Sequence, residues 1–285
     1  METETQQRYC YRHPDRETGL SCSECGRPIC YECMTPAPVG LRCPEHSGKP
    51  QGVRKVTAAA ERAATASGRR PHPVTIALIA ANVGVFLAEL ALGGTVDGTG
   101  NWIYTHGALF ARAVYANGAP AGVANGEWWR LMSAAFLHYG FIHLGLNMLA
   151  LYWFGPVLER LVGSLRFLLL YLAAGLAGSA GALWLAPNDI TVGASGAIFG
   201  ILGALLVLEQ RKMISSGGQI LVLIVLNLLL SATLPGISIG GHLGGLVAGI
   251  VCMILYLEFR RSTALCVAAA VLIGAASVGV AYAVI

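Results

Sequence analysis

Charge is spread along this chain so unevenly that a single water-soluble body is excluded. Residues 1–72 hold 19 of the 34 charged side chains, and the remaining 213 residues share 15. A soluble domain carries about 25% charged residues; this chain carries 12%, with 55% of its 285 residues apolar. The split predicts a small polar module ahead of a body dissolved in lipid. So high an apolar content excludes disorder, and the absence of a Gly-X-Y period excludes collagen. The net charge of +4, gathered mostly near the N-terminus, gives no reason to expect a nucleic-acid partner. No signal-peptide pattern is visible. The first apolar run begins near Val74, behind a charged Cys/His-rich segment, so residues 1–72 are expected to persist in the mature protein.

Seven apolar runs read as spans, at 74–92, 131–154, 164–186, 193–209, 219–234, 237–257 and 264–284, since crossing the hydrocarbon takes roughly 20 residues. A long connection occupies 93–130, and the basic, Ala-rich stretch 47–72 reads as a linker. Positive charge orients the bundle. With the N-terminus cytoplasmic, Arg160, Arg166, Arg211, Lys212, Arg260 and Arg261 join the basic N-terminal region inside, and only Arg112 and Arg130 lie outside. N-in, C-out follows. Two runs are short: 193–209 rises about 25 Å and 219–234 about 24 Å, against a hydrocarbon core near 30 Å. A helix that starts below the surface leaves non-helical backbone above it, tolerated only beside protein or a wet cavity. The GASG opening the first of these is therefore expected to face a recessed aqueous pocket.

Polar groups at membrane depth are costly and mark function. His143 and Asn147, four apart in HLGLN, share a helix face. Ser195 in VGASGAIFG and His242 in SIGGHLGGLVAG both begin helices that enter from outside, so they fall at similar depth. Gly196, Gly200 and Ala204 form one small-residue stripe and Gly241, Gly245 and Gly249 another. If these pack together, Ser195 and His242 come within hydrogen-bond reach, which gives a serine the adjacent base it needs. Taken singly, each feature is packing or interhelical glue more often than chemistry; the combination carries the reading. Glu89, near the outer end of the first span, has no visible partner. Trp128, Trp129 and Arg130 read first as an interfacial belt, and second as residues that order the long first loop.

The ordered set FLHYGFIHLGLN, GASGAIFG and GGHLGGLVAG, preceded by EWWRL, closely resembles the rhomboid intramembrane serine proteases over about 74–257. The resemblance implies an all-α polytopic membrane protein, with a six-helix catalytic core and here one extra C-terminal transmembrane helix. It implies that Ser195 is the nucleophile and His242 the general base. His143 and Asn147, with the Ser195 backbone N–H, would stabilise the oxyanion. Gly193 would let backbone approach the scissile carbonyl, and His138 would help order the pocket. Phe199 stands where some members carry a tyrosine beneath the histidine. The family needs no cofactor for catalysis. Its substrates are transmembrane segments whose helix unwinds readily near small residues, and 219–234 resembles its lateral gate.

Cys10-x₂-His13, Cys22-x₂-Cys25, Cys30-x₂-Cys33 and Cys43-x₂-His46 supply eight ligands, enough for two tetrahedral zinc ions. A disulfide framework would need an oxidising compartment, which the predicted topology denies. The spacing resembles B-box zinc fingers, which implies alternating pairs: Cys10, His13, Cys30 and Cys33 on one ion, Cys22, Cys25, Cys43 and His46 on the other. Such a module is expected to bind a protein rather than catalyse. Cys252 and Cys266 read as packing residues.

The expected organisation is a cytoplasmic zinc-binding module at 1–46, a linker at 47–72, a protease core at 73–258 and an additional helix at 259–285. The expected setting is a lipid bilayer, with a bacterial plasma membrane as the simplest host. The main rival is a catalytically silent scaffold of the same fold, against which the presence of both Ser195 and His242 argues. A transporter would more characteristically show paired carboxylates or an inverted repeat, and neither is visible.

Overall fold

The computed structural model describes residues 8–37, 40–47, 72–96 and 99–285. The linker expected over 47–72 lies, apart from Ser47 and His72, outside the described residues. The chain divides into two compact units, residues 1–70 and 71–285.

The first unit has almost no apolar interior of its own. β1 (Tyr9–Cys10) pairs antiparallel with β2 (His13–Glu17), β3 (Thr35–Pro36) pairs with β4 (Leu41–Arg42), and α1 (Pro44–Ser47) follows. Its buried centre is Ile29 together with Cys10, Cys22, Cys30, Cys33 and Cys43. Cysteines occupy the place of a hydrophobic core among the described residues of this unit, and so few apolar side chains are a small core for a domain of this size.

The second unit is a helical bundle, and it is a multi-pass integral membrane protein. Among the described residues, five helices are long and apolar enough to cross a membrane: α2 (Pro73–Ala91), α5 (Gly140–Val162), α6 (Ser164–Leu185), α9 (Ile239–Glu258) and α10 (Thr263–Ala283). Two shorter apolar helices, α7 (Ser195–Gln210) and α8 (Gln219–Thr233), complete the bundle. Large apolar side chains such as Ile142, Val222, Leu229 and Leu272 point outward, as lipid requires and water does not. Between α2 and α5 the chain forms an ordered loop containing α3 (Trp102–Gly107), a small hairpin of β5 (Ala113–Val114) with β6 (Pro120–Ala121), and α4 (Arg130–Ser133).

The second span differs from its sequence reading of 131–154. Residues 130–136 form α4 and a 3-10 turn, and the long helix begins only at Gly140. Gly140 sits at φ +78°, a left-handed turn that ends the loop and starts a new helix axis. The helix then runs past Pro156 to Val162, so its polar end carries Glu159.

Glu159 is the peg that closes this end of the bundle. Its carboxylate accepts the backbone N–H groups of Val74 and Thr75 at 3.1 and 2.8 Å and the hydroxyls of Thr75 and Ser164 at 2.7 Å. One side chain thus caps the orphan donors at the start of α2 and reaches the start of α6.

At the centre, α6, α7 and α9 approach through glycines. A Cβ on Gly245 would strike the Gly196 carbonyl, and one on Gly249 the Gly200 carbonyl. On the other side of α9, a Cβ on Gly244 would strike the Ala177 carbonyl of α6. Backbone-to-backbone contact of this kind draws membrane helices together by dispersion where no hydrophobic force exists between them.

Candidate active site and metal clusters

α7 starts at Ser195, and the chain before it is tied to the segments that precede α5. Leu109 and Thr191 exchange backbone hydrogen bonds of 3.0 and 2.9 Å, and the Gly193 N–H donates to the Ala134 carbonyl at 2.8 Å. Gly193 adopts φ +125°, and a Cβ there would meet the His143 ring at 2.7 Å. Only glycine satisfies both conditions. The GASG pattern is therefore a backbone requirement before it is a chemical one.

The Gly196–Gly245 contact brings the first turns of α7 and α9 side by side. Ser195 Oγ lies 2.9 Å from His242 Nε2. The His242 ring stacks on Phe199 with centroids 4.1 Å apart and planes 14° from parallel, so an aromatic face holds the imidazole from below. On its far side, His242 Nδ1 lies 2.6 Å from the Ser231 hydroxyl of α8. Ser231 is absent from the sequence reading. Its signal is faint: one small polar residue in the apolar run of α8, four after Asn227.

His143 and Asn147 stand on the facing helix, α5. His143 Nδ1 accepts the Tyr139 backbone N–H at 3.3 Å, which leaves the ring proton on Nε2, the nitrogen beside Gly193. Asn147 is buried and gives one amide N–H to the His143 carbonyl at 2.9 Å; its second N–H remains available to a ligand. His138 is fully buried, its ring edge-on to His143 at 5.1 Å. The pocket thus presents a hydroxyl, a basic nitrogen and N–H donors, the parts an acyl transfer needs.

The EWWR segment divides by residue. Trp128 and Trp129 are exposed, consistent with an interfacial belt. Arg130 is fully buried, so the belt reading fails for it and loop ordering holds. Its guanidinium donates to Glu127 Oε2 at 2.7 Å, the Ala108 and Thr105 carbonyls at 2.6 and 3.0 Å, and the Tyr115 hydroxyl at 2.8 Å, and it lies over the Phe110 ring at 4.3 Å. Burial pushes the Glu127 carboxyl up, but hydrogen bonds from Arg130, Tyr115 and the Gly122 N–H outweigh it and hold the group below its ordinary value. Glu89 is fully buried, and neither of its oxygens has a hydrogen-bond partner among the described residues.

In the first unit the cysteines and histidines converge into two sets, Cys10–His13–Cys30–Cys33 and Cys22–Cys25–Cys43–His46, with all ligand atoms of a set within 4.8 Å of one another. A tetrahedral ion with Zn–S near 2.3 Å and Zn–N near 2.0 Å sets S···S edges of about 3.8 Å and S···N edges of about 3.5 Å. His13 Nδ1 lies 3.8, 3.4 and 3.4 Å from the sulfurs of Cys10, Cys30 and Cys33. The Cys25–Cys43 sulfurs are 3.8 Å apart, and His46 Nδ1 is 3.0 Å from Cys43 Sγ. The first set matches a zinc tetrahedron; the second offers the same donor chemistry in a tighter cluster, its His46–Cys43 edge short of the zinc value.

A helical membrane protein with a hydrogen-bonded serine and histidine at the recessed starts of two helices is a narrow class. The model of the rhomboid domain family matches residues 125–259. The putative rhomboid protease YdcA of Bacillus subtilis is 40% identical over 149 residues, covering 50% of this chain and 75% of that protein. This chain belongs to the rhomboid family. Rhomboid protease GluP of the same organism is 48% identical over 131 residues, 45% of this chain and 26% of GluP. RHOMBOID-like protein 4 of Arabidopsis thaliana is 42% identical over 134 residues, 45% of this chain and 34% of that protein. The chain thus spans about a quarter of GluP and three quarters of YdcA.

Proposed function

We propose that this chain is an intramembrane serine endopeptidase that cleaves transmembrane segments of membrane proteins with a Ser195–His242 dyad. The 2.9 Å contact between Ser195 Oγ and His242 Nε2 carries the reading. A serine hydroxyl becomes a useful nucleophile only beside a base, and few structural roles require that pair at helix starts inside a bundle.

Ser195 Oγ attacks the scissile carbonyl as its proton passes to His242 Nε2. The tetrahedral oxyanion is held by His143 Nε2–H, the free amide N–H of Asn147 and the Ser195 backbone N–H, with Gly193 keeping the approach clear and His138 supporting the His143 ring. The imidazolium then protonates the leaving amine, and the peptide C–N bond breaks. Water, deprotonated by the same nitrogen, releases the acyl group and restores Ser195. Losing one oxyanion donor typically costs about 10²–10³ in rate. A helical substrate hides its carbonyls, so the segment cut is one that unwinds easily.

The first unit binds two structural zinc ions through the two sets above and presents a surface to a protein partner. We place the zinc module at 1–46, the linker at 47–72, the protease core at 73–258 and the additional helix at 259–285. The excess of Lys and Arg at one end of the bundle puts the N-terminus in the cytoplasm and the C-terminus outside, with a bacterial plasma membrane as the host.

The test uses purified full-length protein in detergent and a fluorophosphonate serine probe. Wild type is expected to label, and Ser195→Ala and His242→Ala to lose labelling. Labelling that survives in Ser195→Ala overturns the nucleophile. A folded wild type that neither labels nor cuts a transmembrane peptide overturns the protease reading in favour of a silent scaffold.

A further inference from the structure

A dyad base must present a bare Nε2 to the serine, so its ring proton has to sit on Nδ1. Nothing in a two-residue dyad dictates that choice, because a neutral imidazole carries its proton on either nitrogen. With the proton on Nε2, the same 2.9 Å contact to Ser195 forms with the histidine as donor, and no base is present.

The surroundings of His242 Nδ1 resolve the ambiguity. The Ser231 hydroxyl lies 2.6 Å from Nδ1 and donates to the Asn227 carbonyl at 2.6 Å. A hydroxyl has one proton and two lone pairs. The Asn227 carbonyl can only accept, and a Ser231 proton given to it leaves the hydroxyl oxygen to accept from Nδ1–H. Ser231 is itself buried, as is His242, so water does not compete freely for either group. The hydrogen-bond direction runs Ser195 O–H to His242 Nε2, His242 Nδ1–H to Ser231 Oγ, and Ser231 O–H to the Asn227 carbonyl.

We propose that Ser231 is a positioning residue that holds His242 in the Nδ1–H tautomer and fixes its ring plane, making the dyad a serine–histidine–serine relay. This rests on the protease reading above. It also makes the base depend on α8. That helix buries only Ile220, Ile224 and Ser231, a narrow stripe with Leu228 packed beside it, and most of its other apolar side chains are exposed. The base is poised only while that stripe is seated.

The test compares full-length wild type, Ser231→Ala and Ser231→Thr in detergent. Threonine keeps a hydroxyl that bonds the i−4 carbonyl in a helix. The readouts are fluorophosphonate inactivation, split into its binding constant and its limiting rate, thermal stability, and ¹⁵N resonances of the His242 ring. Ser231→Ala is expected to lower the limiting rate about three- to tenfold, the worth of one hydrogen bond, with probe binding and Tm unchanged. The ring should pass from a pure Nδ1–H tautomer to a mixture, and Ser231→Thr should restore both rate and tautomer. A Ser231→Ala protein with the wild-type rate and tautomer overturns the proposal. So does a Ser231→Thr protein as slow as Ser231→Ala, or rate loss that only follows a fall in Tm. Failure of the wild type to label overturns the protease reading instead, while the ring resonances, which need no turnover, still decide the role of Ser231.

Discussion

Arg130 shows how much one buried side chain can organise in a loop between two spans. Its guanidinium satisfies carbonyls at residues 105 and 108, the Glu127 carboxylate and the Tyr115 hydroxyl at once, tying α3, the hairpin region and α4 into one body. Lysine has neither the planar fork nor enough donors in the right directions. Arg130→Lys keeps the charge but leaves buried acceptors without donors, and is expected to destabilise by about 1–3 kcal/mol, measured as a fall in Tm. The pH dependence follows from the partner. Glu127 is held below its ordinary value in the folded state, so its contribution to stability is present above the ordinary carboxylate range and lost as pH falls through the folded value. Glu127→Gln should therefore melt well below wild type at pH 7, and the gap should narrow once pH drops under about 4.5. A gap that stays constant with pH would mean the carboxylate charge is not what holds the loop. Arginine beside two tryptophans reads as a belt in sequence; burial, which sequence does not report, separates its role from theirs.

At the scale of the element, the Ser195–His242 contact depends on how closely α7 and α9 approach. The two glycine stripes are legible as i, i+4 spacings, and their packing is what carries Ser195 to His242. A methyl group at Gly245 meets backbone, the Gly196 carbonyl, rather than a side chain that can swing away. Gly245→Ala is expected to force the helices apart, reduce fluorophosphonate labelling at least tenfold and cost about 1–3 kcal/mol of stability. Gly279 on α10 has open space at its Cβ, so Gly279→Ala serves as the control and should label like wild type. The misplaced start of α5 has a different cause. Residues 131–139 are apolar enough to join the following run, and hydropathy cannot register that Gly140 turns the chain at positive φ. Glu159, similarly, looks like a charge at a membrane edge; that its four donors come from α2 and α6 is a fact of contact between distant segments.

The whole molecule joins a unit stabilised by lipid-facing helices to one stabilised by ligand convergence. In the first unit, cysteines replace the apolar core, so the proposed zinc binding would make folding and metal loading one equilibrium. Treatment with a strong chelator is expected to release two zinc ions per chain and to abolish the structure of residues 10–46, while the helical far-UV signal of the bundle persists. Cys22→Ser combined with Cys25→Ser should release at least one ion by direct metal analysis; unchanged zinc content would sink the ligand assignment. If proteolysis of a transmembrane substrate then falls, the module regulates the core.

The sequence by itself marked the membrane class, the order of the helices, the Ser195 and His242 that the bundle brings into contact, and the eight Cys and His side chains that converge in two sets. Those properties are written locally, in hydropathy over twenty residues, in i, i+4 spacing and in two-residue ligand gaps. Tertiary structure alone decided three things. It brought Ser231, on a different helix, against His242 Nδ1. It buried Arg130 while leaving Trp128 and Trp129 outside. It also made Glu159 the cap of a helix that starts 86 residues earlier, at Pro73. Each is a directional contact between segments far apart in the chain, and a hydrogen bond specifies a partner's position that no local pattern encodes.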